Sequence, residues 1–141
     1  MKRLSGNESG FTLVEMLIAI LLMTIGLLAV LTTQDVAIKA NSISNRLTVA
    51  TSLAQEALED ILSWQSTDPK ITTNNTNVVY MWPPNSSATS ISVPGAGSYS
   101  ATYTTTVGPV SGVPDGITRV DVTVTGYDGR RITVTGFKRT V

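Results

Sequence analysis

The feature that most constrains this chain is a 21-residue stretch, residues 11–31, that is apolar at all but four positions. The four exceptions are Thr12, Glu15, Thr24 and Gly26. As an α-helix this stretch would be about 31 Å long, close to the thickness of the hydrocarbon core of a bilayer. A short polar segment precedes it and carries Lys2 and Arg3. The positive-inside tendency therefore predicts that residues 1–10 stay in the cytoplasm while the rest of the chain crosses the membrane.

Two other kinds of N-terminal segment compete with this interpretation. A secretory signal peptide has an apolar region of roughly 7–15 residues followed by a small-x-small cleavage site. Here the apolar run is longer, and residues 29–33 (Ala-Val-Leu-Thr-Thr) match such a site poorly. A signal cleaved after the run and a plain uncleaved anchor remain as alternatives.

The composition argues against catalysis and against nucleic-acid binding. The chain contains neither cysteine nor histidine, which excludes disulfides, thiolate or imidazole metal ligands and catalysis by either side chain. Ten basic residues balance ten acidic ones. Nucleic-acid binders usually show a basic excess on one face. We therefore expect no enzyme activity, no cofactor and no nucleic-acid partner.

The junction before the apolar run reads Ser9-Gly10-Phe11-Thr12-Leu13-Val14-Glu15. It resembles the class III signal of type IV prepilins and pseudopilins. The resemblance implies that an inner-membrane prepilin peptidase cuts between Gly10 and Phe11, and that the same enzyme N-methylates Phe11. It also implies partners: other major and minor pilins or pseudopilins, contacted through the N-terminal helix, and an inner-membrane assembly platform. The runs at residues 24–28, 37–42 and 53–59 are similar to minor pilins of the PilV type and secretion pseudopilins of the GspI type.

Glu15 is an acidic residue inside the apolar run. A carboxylate at the centre of a bilayer costs about 2.5–3.5 kcal/mol even on the lenient insertion scale, so it needs a partner. Its place about one turn from Phe11 lowers that cost, and Glu15 could simply snorkel to the interface. The resemblance implies another role, an intersubunit salt bridge between Glu15 and the new amine of Phe11 on a neighbouring subunit.

A second half of the helix is predicted beyond the membrane. Apolar residues recur at helical spacing between positions 43 and 62: Ile43, Leu47, Ala50, Ala54, Ala57, Leu58, Ile61 and Leu62. Polar residues between them, including Arg46 and Asp60, fit a solvent-facing side. The first proline is Pro69, and the residue before a proline is pushed out of helical geometry. The sequence therefore predicts one helix from about Phe11 to Trp64.

The rest of the chain has the composition of loops and then of strands. Turn-forming clusters fill residues 70–98, with a short run at 78–82 that could be an edge strand or an aromatic loop. Alternating apolar and polar residues follow at 99–107, 120–125 and 132–134. Asp128-Gly129 is a good hairpin turn between the last two runs. We predict an antiparallel sheet of three strands, with a possible fourth short one.

Two minor sites can be named in this region. Asp115 and Asp128 could contribute to a calcium site, which some pseudopilins possess. The basic residues Arg130, Arg131, Lys138 and Arg139 would form a solvated hairpin or an interaction edge.

The predicted class is α+β: a long N-terminal helix packed on a small antiparallel sheet. Its predicted parts are a leader (1–10), a transmembrane helix (11–31) and a periplasmic head (32–141). The head comprises the second helix half (32–66), an αβ-loop (67–98) and a β-meander (99–141). The predicted function is that of a minor pilin or pseudopilin subunit held in the bacterial inner membrane and then built into a pilus or pseudopilus. The alternative is a singly anchored periplasmic module that binds a ligand or a surface.

Overall fold

A computed structural model describes residues 11–84, 86–110 and 112–140. It contains a helix α1 (Leu13–Ser63), a short helix α2 (Pro69–Thr72) and strands β1 (Asn75–Tyr80), β2 (Ile91–Val93), β3 (Gly97–Val107), β4 (Ile117–Gly126) and β5 (Arg131–Arg139). The predicted α+β class is confirmed. The chain divides into two compact units, residues 1–41 and 42–141. The predicted leader, residues 1–10, lies outside the described residues.

Helix α1 agrees with its predicted bounds to within two residues. It begins at Leu13 and ends at Ser63. The pair Asp68-Pro69 starts α2 rather than directly ending α1: an Asp68 side-chain oxygen accepts a 2.8 Å hydrogen bond from the Lys70 backbone N–H, and Pro69 occupies the first turn. Asparagine or aspartate is preferred before a helix because its side chain accepts a hydrogen bond from a free N–H of the first turn. Proline is preferred at the first position because it has no N–H to leave unpaired.

Within the described residues the five strands form one antiparallel sheet of order β1-β3-β4-β5, with β2 also paired to β3. The meander of β3, β4 and β5 is confirmed. Strands β1 and β2 lie inside the segment predicted as an αβ-loop, and the strand alternative for residues 78–82 is confirmed as far as Tyr80. The alternation of apolar and polar residues is not visible in the sequence of β1, because its register is irregular between Asn75 and Val78, with Asn77 at φ 52°. Strand β2 has only three residues, too few to show an alternation.

The core of the second unit lies between the sheet and the C-terminal part of α1. Alternate residues of β3 and β4 are buried, as the period-two pattern predicts: Tyr99, Ala101, Tyr103, Thr105, Thr118, Val120, Val122 and Val124. From the helix, the buried residues are Ala50, Leu53, Ala54, Ala57 and Ile61. A Cβ on Gly136 of β5 would lie 3.0 Å from a Leu58 methyl carbon and 3.1 Å from one of Leu62. Glycine at this position therefore lets the helix approach the strand closely.

The β4–β5 hairpin is confirmed, with a turn one residue longer than predicted. The Gly126 N–H donates to the Arg130 carbonyl, and the Gly129 N–H donates to the Gly126 carbonyl. Tyr127 and Asp128 are thus the central residues of the turn. Gly129 follows at φ 78°, a left-handed conformation that glycine adopts without steric cost.

Two residues assigned to the polar side of α1 make tertiary contacts instead. The Arg46 guanidinium lies 4.9 Å from the centre of the Tyr127 ring. The Asp60 carboxylate accepts hydrogen bonds from Tyr80 and Trp64. Both residues flank the apolar stripe, where a long or polar side chain can reach the edge of the sheet.

Candidate functional site at the start of the long helix

Thr12 caps the N-terminus of α1. Its hydroxyl oxygen accepts a 3.3 Å hydrogen bond from the backbone N–H of Glu15, and its carbonyl accepts from the N–H groups of Glu15 and Met16. Threonine followed three residues later by glutamate is the capping-box spacing, which satisfies donors that the first helical turn leaves free. The Thr12–Glu15 spacing was visible in the sequence but was not used to place the start of the helix.

The apolar face of this segment is uncovered. Every residue from 11 to 42 is exposed, including Leu17 at 59% and Leu21 at 61%. Among the described residues, α1 is the one helix long and apolar enough to cross a membrane, and none of its most apolar 18-residue window is buried. Because uncovered apolar surface costs roughly 25 cal/mol per Å² in water, this surface needs lipid or other helices around it.

Hydroxyl groups along the apolar segment are satisfied by the helix itself. Thr24 donates a 2.7 Å hydrogen bond to the carbonyl of Ile20, and Thr33 donates a 2.9 Å bond to that of Ala29. Such bonds to the preceding turn let threonine lie in an apolar environment without an unpaired donor. These threonines therefore need no external partner.

Unlike these threonine hydroxyls, the side chain of Glu15 is charged and is not bonded to its own helix. It is the sole ionisable residue between positions 11 and 34. Its carboxylate makes no hydrogen bond or ion pair within the part of the chain that the structure describes. The partial positive charge of the helix N-terminus favours an anion in the first turn. No basic residue among the described ones therefore pairs with this carboxylate.

Of the predicted processing residues, Phe11 is described and Gly10 is not. Phe11 precedes the cap residue Thr12, lies outside the helix and is 72% exposed. The roles assigned to Gly10, Phe11 and Glu15 remain predictions.

The calcium site suggested for Asp115 and Asp128 is wrong. The two residues lie beyond opposite ends of β4, whose ten residues span about 30 Å. Their carboxylates accept local hydrogen bonds, from the N–H of Gly116 and of Arg130 respectively. No group of three or more acidic residues that could hold a metal occurs in the described ranges.

The four basic residues near the C-terminus differ in exposure and in their partners. Arg131 and Arg139 are exposed, and Arg130 approaches Asp128 at 3.7 Å. The ammonium of Lys138 instead donates to the backbone carbonyls of Leu62 and Trp64, at the C-terminal end of α1. Carbonyls at a helix end lack intrahelical partners and carry partial negative charge. The solvated role predicted for Lys138 is therefore wrong, because its ammonium is bound by two carbonyls. These partners are 74 and 76 residues away in sequence, so the local sequence did not reveal them.

Comparison with known proteins supports the site at the start of α1. The family described as the prokaryotic N-terminal methylation motif matches residues 5–31. No curated protein and no solved structure matches the chain significantly. The matched segment contains Phe11, Thr12 and Glu15 and ends with the apolar run. It implies processing by a prepilin peptidase and assembly with other pilins.

The matched motif extends into the exposed part of α1, and the later part of the same helix packs on the antiparallel sheet. The resemblance seen at the leader junction is thereby confirmed, while its narrower PilV or GspI type stays a prediction. The motif at residues 5–31, the long apolar helix and the antiparallel sheet fit a type IV pilin-like protein.

Proposed function

We propose that the protein is a minor pilin or pseudopilin. Prepilin peptidase cuts it between Gly10 and Phe11, and the same enzyme methylates the Phe11 amine. The mature chain then assembles through its N-terminal helix into a type IV pilus or a type II secretion pseudopilus. The observation that carries this proposal is that the uncovered apolar helix begins inside the methylation motif, which extends to Leu31.

The uncovered helix surface serves in two environments in succession. Before assembly it lies in the bacterial inner membrane, with the leader in the cytoplasm and residues 42–141 in the periplasm. During assembly the lipid is replaced by helices of other pilins, supplied through the inner-membrane platform. Both environments are apolar, so the transfer requires little change in the solvation of side chains such as Leu17 and Leu21.

Glu15 fixes the position of each subunit along the filament in this proposal. Cleavage frees a positively charged amine on Phe11, one turn from the carboxylate. Inside a bundle of apolar helices, a lone carboxylate is strongly disfavoured, and an amine from the neighbouring subunit neutralises it. The capping bond from Glu15 uses its backbone N–H, so the carboxylate stays available for this pair.

As a minor subunit, the protein acts in the initiation of assembly. The resemblance of its helix to low-abundance pilins supports this assignment. Deleting the protein should then reduce the number of filaments per cell while their length stays the same, as electron microscopy would measure. Shorter filaments in unchanged number would contradict a role in initiation.

Mass spectrometry of the mature N-terminus tests the processing step. The full chain is coexpressed with prepilin peptidase and extracted from membranes. We expect an N-terminal peptide that begins with N-methylated Phe11. An intact Met1 would support the anchored binding module, and a cut after Leu31 would indicate a secreted protein.

Substitution of Glu15 tests the assembly step. Glu15→Leu should insert into the membrane but enter filaments roughly 100- to 5,000-fold less, because removing one partner of a buried ion pair costs about 3–5 kcal/mol. Thr24→Leu is the matched control, since its hydroxyl bonds to its own helix. Equal amounts of both variants in sheared filaments would refute the role of Glu15.

A further inference from the structure

The second unit contains a cavity of about 510 Å³ beside the end of α1 and strand β1. This volume lies within the roughly 300–1,000 Å³ typical of small-ligand sites. Three aromatic side chains and three charged ones line it: Trp64, Tyr80, Tyr103, Asp60, Asp68 and Lys70. No residue of the methylation motif is among them.

Asp60 fixes two of the rings. One of its carboxylate oxygens accepts a 3.0 Å hydrogen bond from the Tyr80 hydroxyl and a 3.3 Å bond from the Trp64 indole N–H. Burial, together with the bond to Asp60, raises the pKa of Tyr80, so this phenol remains a donor. Tyr103 packs edge-on against Trp64, with ring centroids 5.6 Å apart and an angle of 83° between planes. Two of the three rings thus bond to one carboxylate, and the third packs against one of them.

The Tyr103 hydroxyl is a polar group without a partner. Tyr103 is only 5% exposed, and its hydroxyl forms no hydrogen bond within residues 11–84, 86–110 and 112–140. This oxygen is not among the fully enclosed unpaired atoms of the same ranges, which are Arg46 Nε and Trp82 Nε1. Tyr103 lines the cavity, and its unpaired hydroxyl retains some exposure. Burial, and then the charge of Asp68, raise the pKa of Tyr103 and keep the hydroxyl protonated.

The charges around the cavity select the class of ligand. Asp60 and Asp68 disfavour an anion. Lys70 lies 5.0 Å from the centre of the Trp64 ring and disfavours a second cation on that ring. A neutral molecule with several hydroxyls can instead donate to the carboxylates, accept from Lys70 and do both with Tyr103. Its C–H face can also contact the aromatic rings.

We propose that this cavity is a binding site for a neutral saccharide, with Val78, Val79 and Met81 in its apolar wall and Tyr103, Asp68 and Lys70 as hydrogen-bonding groups. The site belongs to residues 60–103 and does not depend on processing of the N-terminus. It gives the head of a pilin-like protein a ligand of its own.

The test uses the full chain in a polyoxyethylene detergent, because detergents with sugar headgroups would compete. The probes are cellobiose, maltose, lactose and N,N′-diacetylchitobiose, with choline as a cationic comparison. Saturation-transfer NMR detects binding, and calorimetry gives the Kd. Tyr103→Phe keeps the ring and removes only the hydroxyl. Tyr127→Phe is the matched control, because Tyr127 is exposed and lies outside the cavity.

We expect at least one disaccharide to bind, and its Kd to rise roughly 3- to 10-fold in Tyr103→Phe, as the loss of one hydrogen bond predicts. Tyr127→Phe should bind like the unsubstituted chain. Circular dichroism should show both variants folded, since the Tyr103 hydroxyl has no partner to lose. The proposal is overturned if none of the four disaccharides binds, if choline binds in their place, or if the two variants have equal Kd values.

Discussion

Replacing Lys138 with methionine removes the cation that lies at the C-terminal end of α1. The ammonium donates to the carbonyls of Leu62 and Trp64, which accept no other hydrogen bond from the residues that the structure describes. Hydrogen bonds from a charged donor contribute about 1.5–3 kcal/mol, and a cation at a helix C-terminus about 0.3–2 kcal/mol. These contributions overlap, and Lys138 is partly exposed. We therefore expect the free energy of unfolding to fall by about 1.5–3 kcal/mol.

The assay is thermal unfolding of the full chain in detergent, followed by circular dichroism. For a unit of the size of residues 42–141, each kcal/mol shifts the Tm by about 4–8 °C, so Lys138→Met should lower it on the order of 10 °C. Methionine keeps an unbranched stem of similar length, so the loss reports on the ammonium group.

Arg139→Met is the matched control for this substitution. It removes the same charge from the next position of β5, where the side chain is exposed. Exposed charges usually contribute little to stability, so its Tm should stay close to that of the unsubstituted chain. Equal Tm values for the two variants would show that the capping contact does not stabilise the helix end.

Two further predictions concern the β3–β4 loop and the buried tyrosines. Gly108→Ala would place a Cβ 1.9 Å from the Pro114 carbonyl oxygen, a backbone atom, and should lower the free energy of unfolding by about 3 kcal/mol or more. Gly112→Ala in the same loop meets open space, so the free energy of unfolding should fall by only about 1–2 kcal/mol, the cost of a positive φ. Urea titration measures both losses, and equal losses for the two variants would refute the clash at Gly108. Burial raises the pKa of Tyr80 and Tyr99 above their ordinary value near 10, so each adds stability that is fully present below pH 10 and is lost as the pH rises through the folded-state pKa. Tyrosinate absorbance and circular dichroism should show unfolding above about pH 10, and a fold whose stability is unchanged there would contradict this.

The bounds of α1 could be predicted closely because its signals are local. The apolar run, its helical period and the approach of Pro69 each act within a few residues. The β3–β5 meander was predictable for the same reason, since apolar and polar residues alternate at 99–107, 120–125 and 132–134 and alternation indicates half-buried strands.

Strands β1 and β2 could not be predicted with the same certainty. Asn77 at positive φ interrupts the alternation of β1, and β2 pairs with β3 over only three residues. Short strands gain their stability from the neighbour they pair with, which the local sequence does not reveal.

The sequence by itself determined the candidate assembly site, because Gly10, Phe11 and Glu15 lie in one short motif. The 21-residue apolar run that follows Gly10 has few stable environments other than a membrane or a helix bundle. Only the tertiary structure decided the roles of Lys138, Asp60 and Tyr103. Lys138 meets carbonyls more than seventy residues earlier, Asp60 joins Tyr80 across 20 residues, and Tyr103 comes to the end of α1 because β3 is packed beneath it. Such contacts depend on how the helix docks on the sheet, and docking is set by burial summed over the whole core rather than by any short segment.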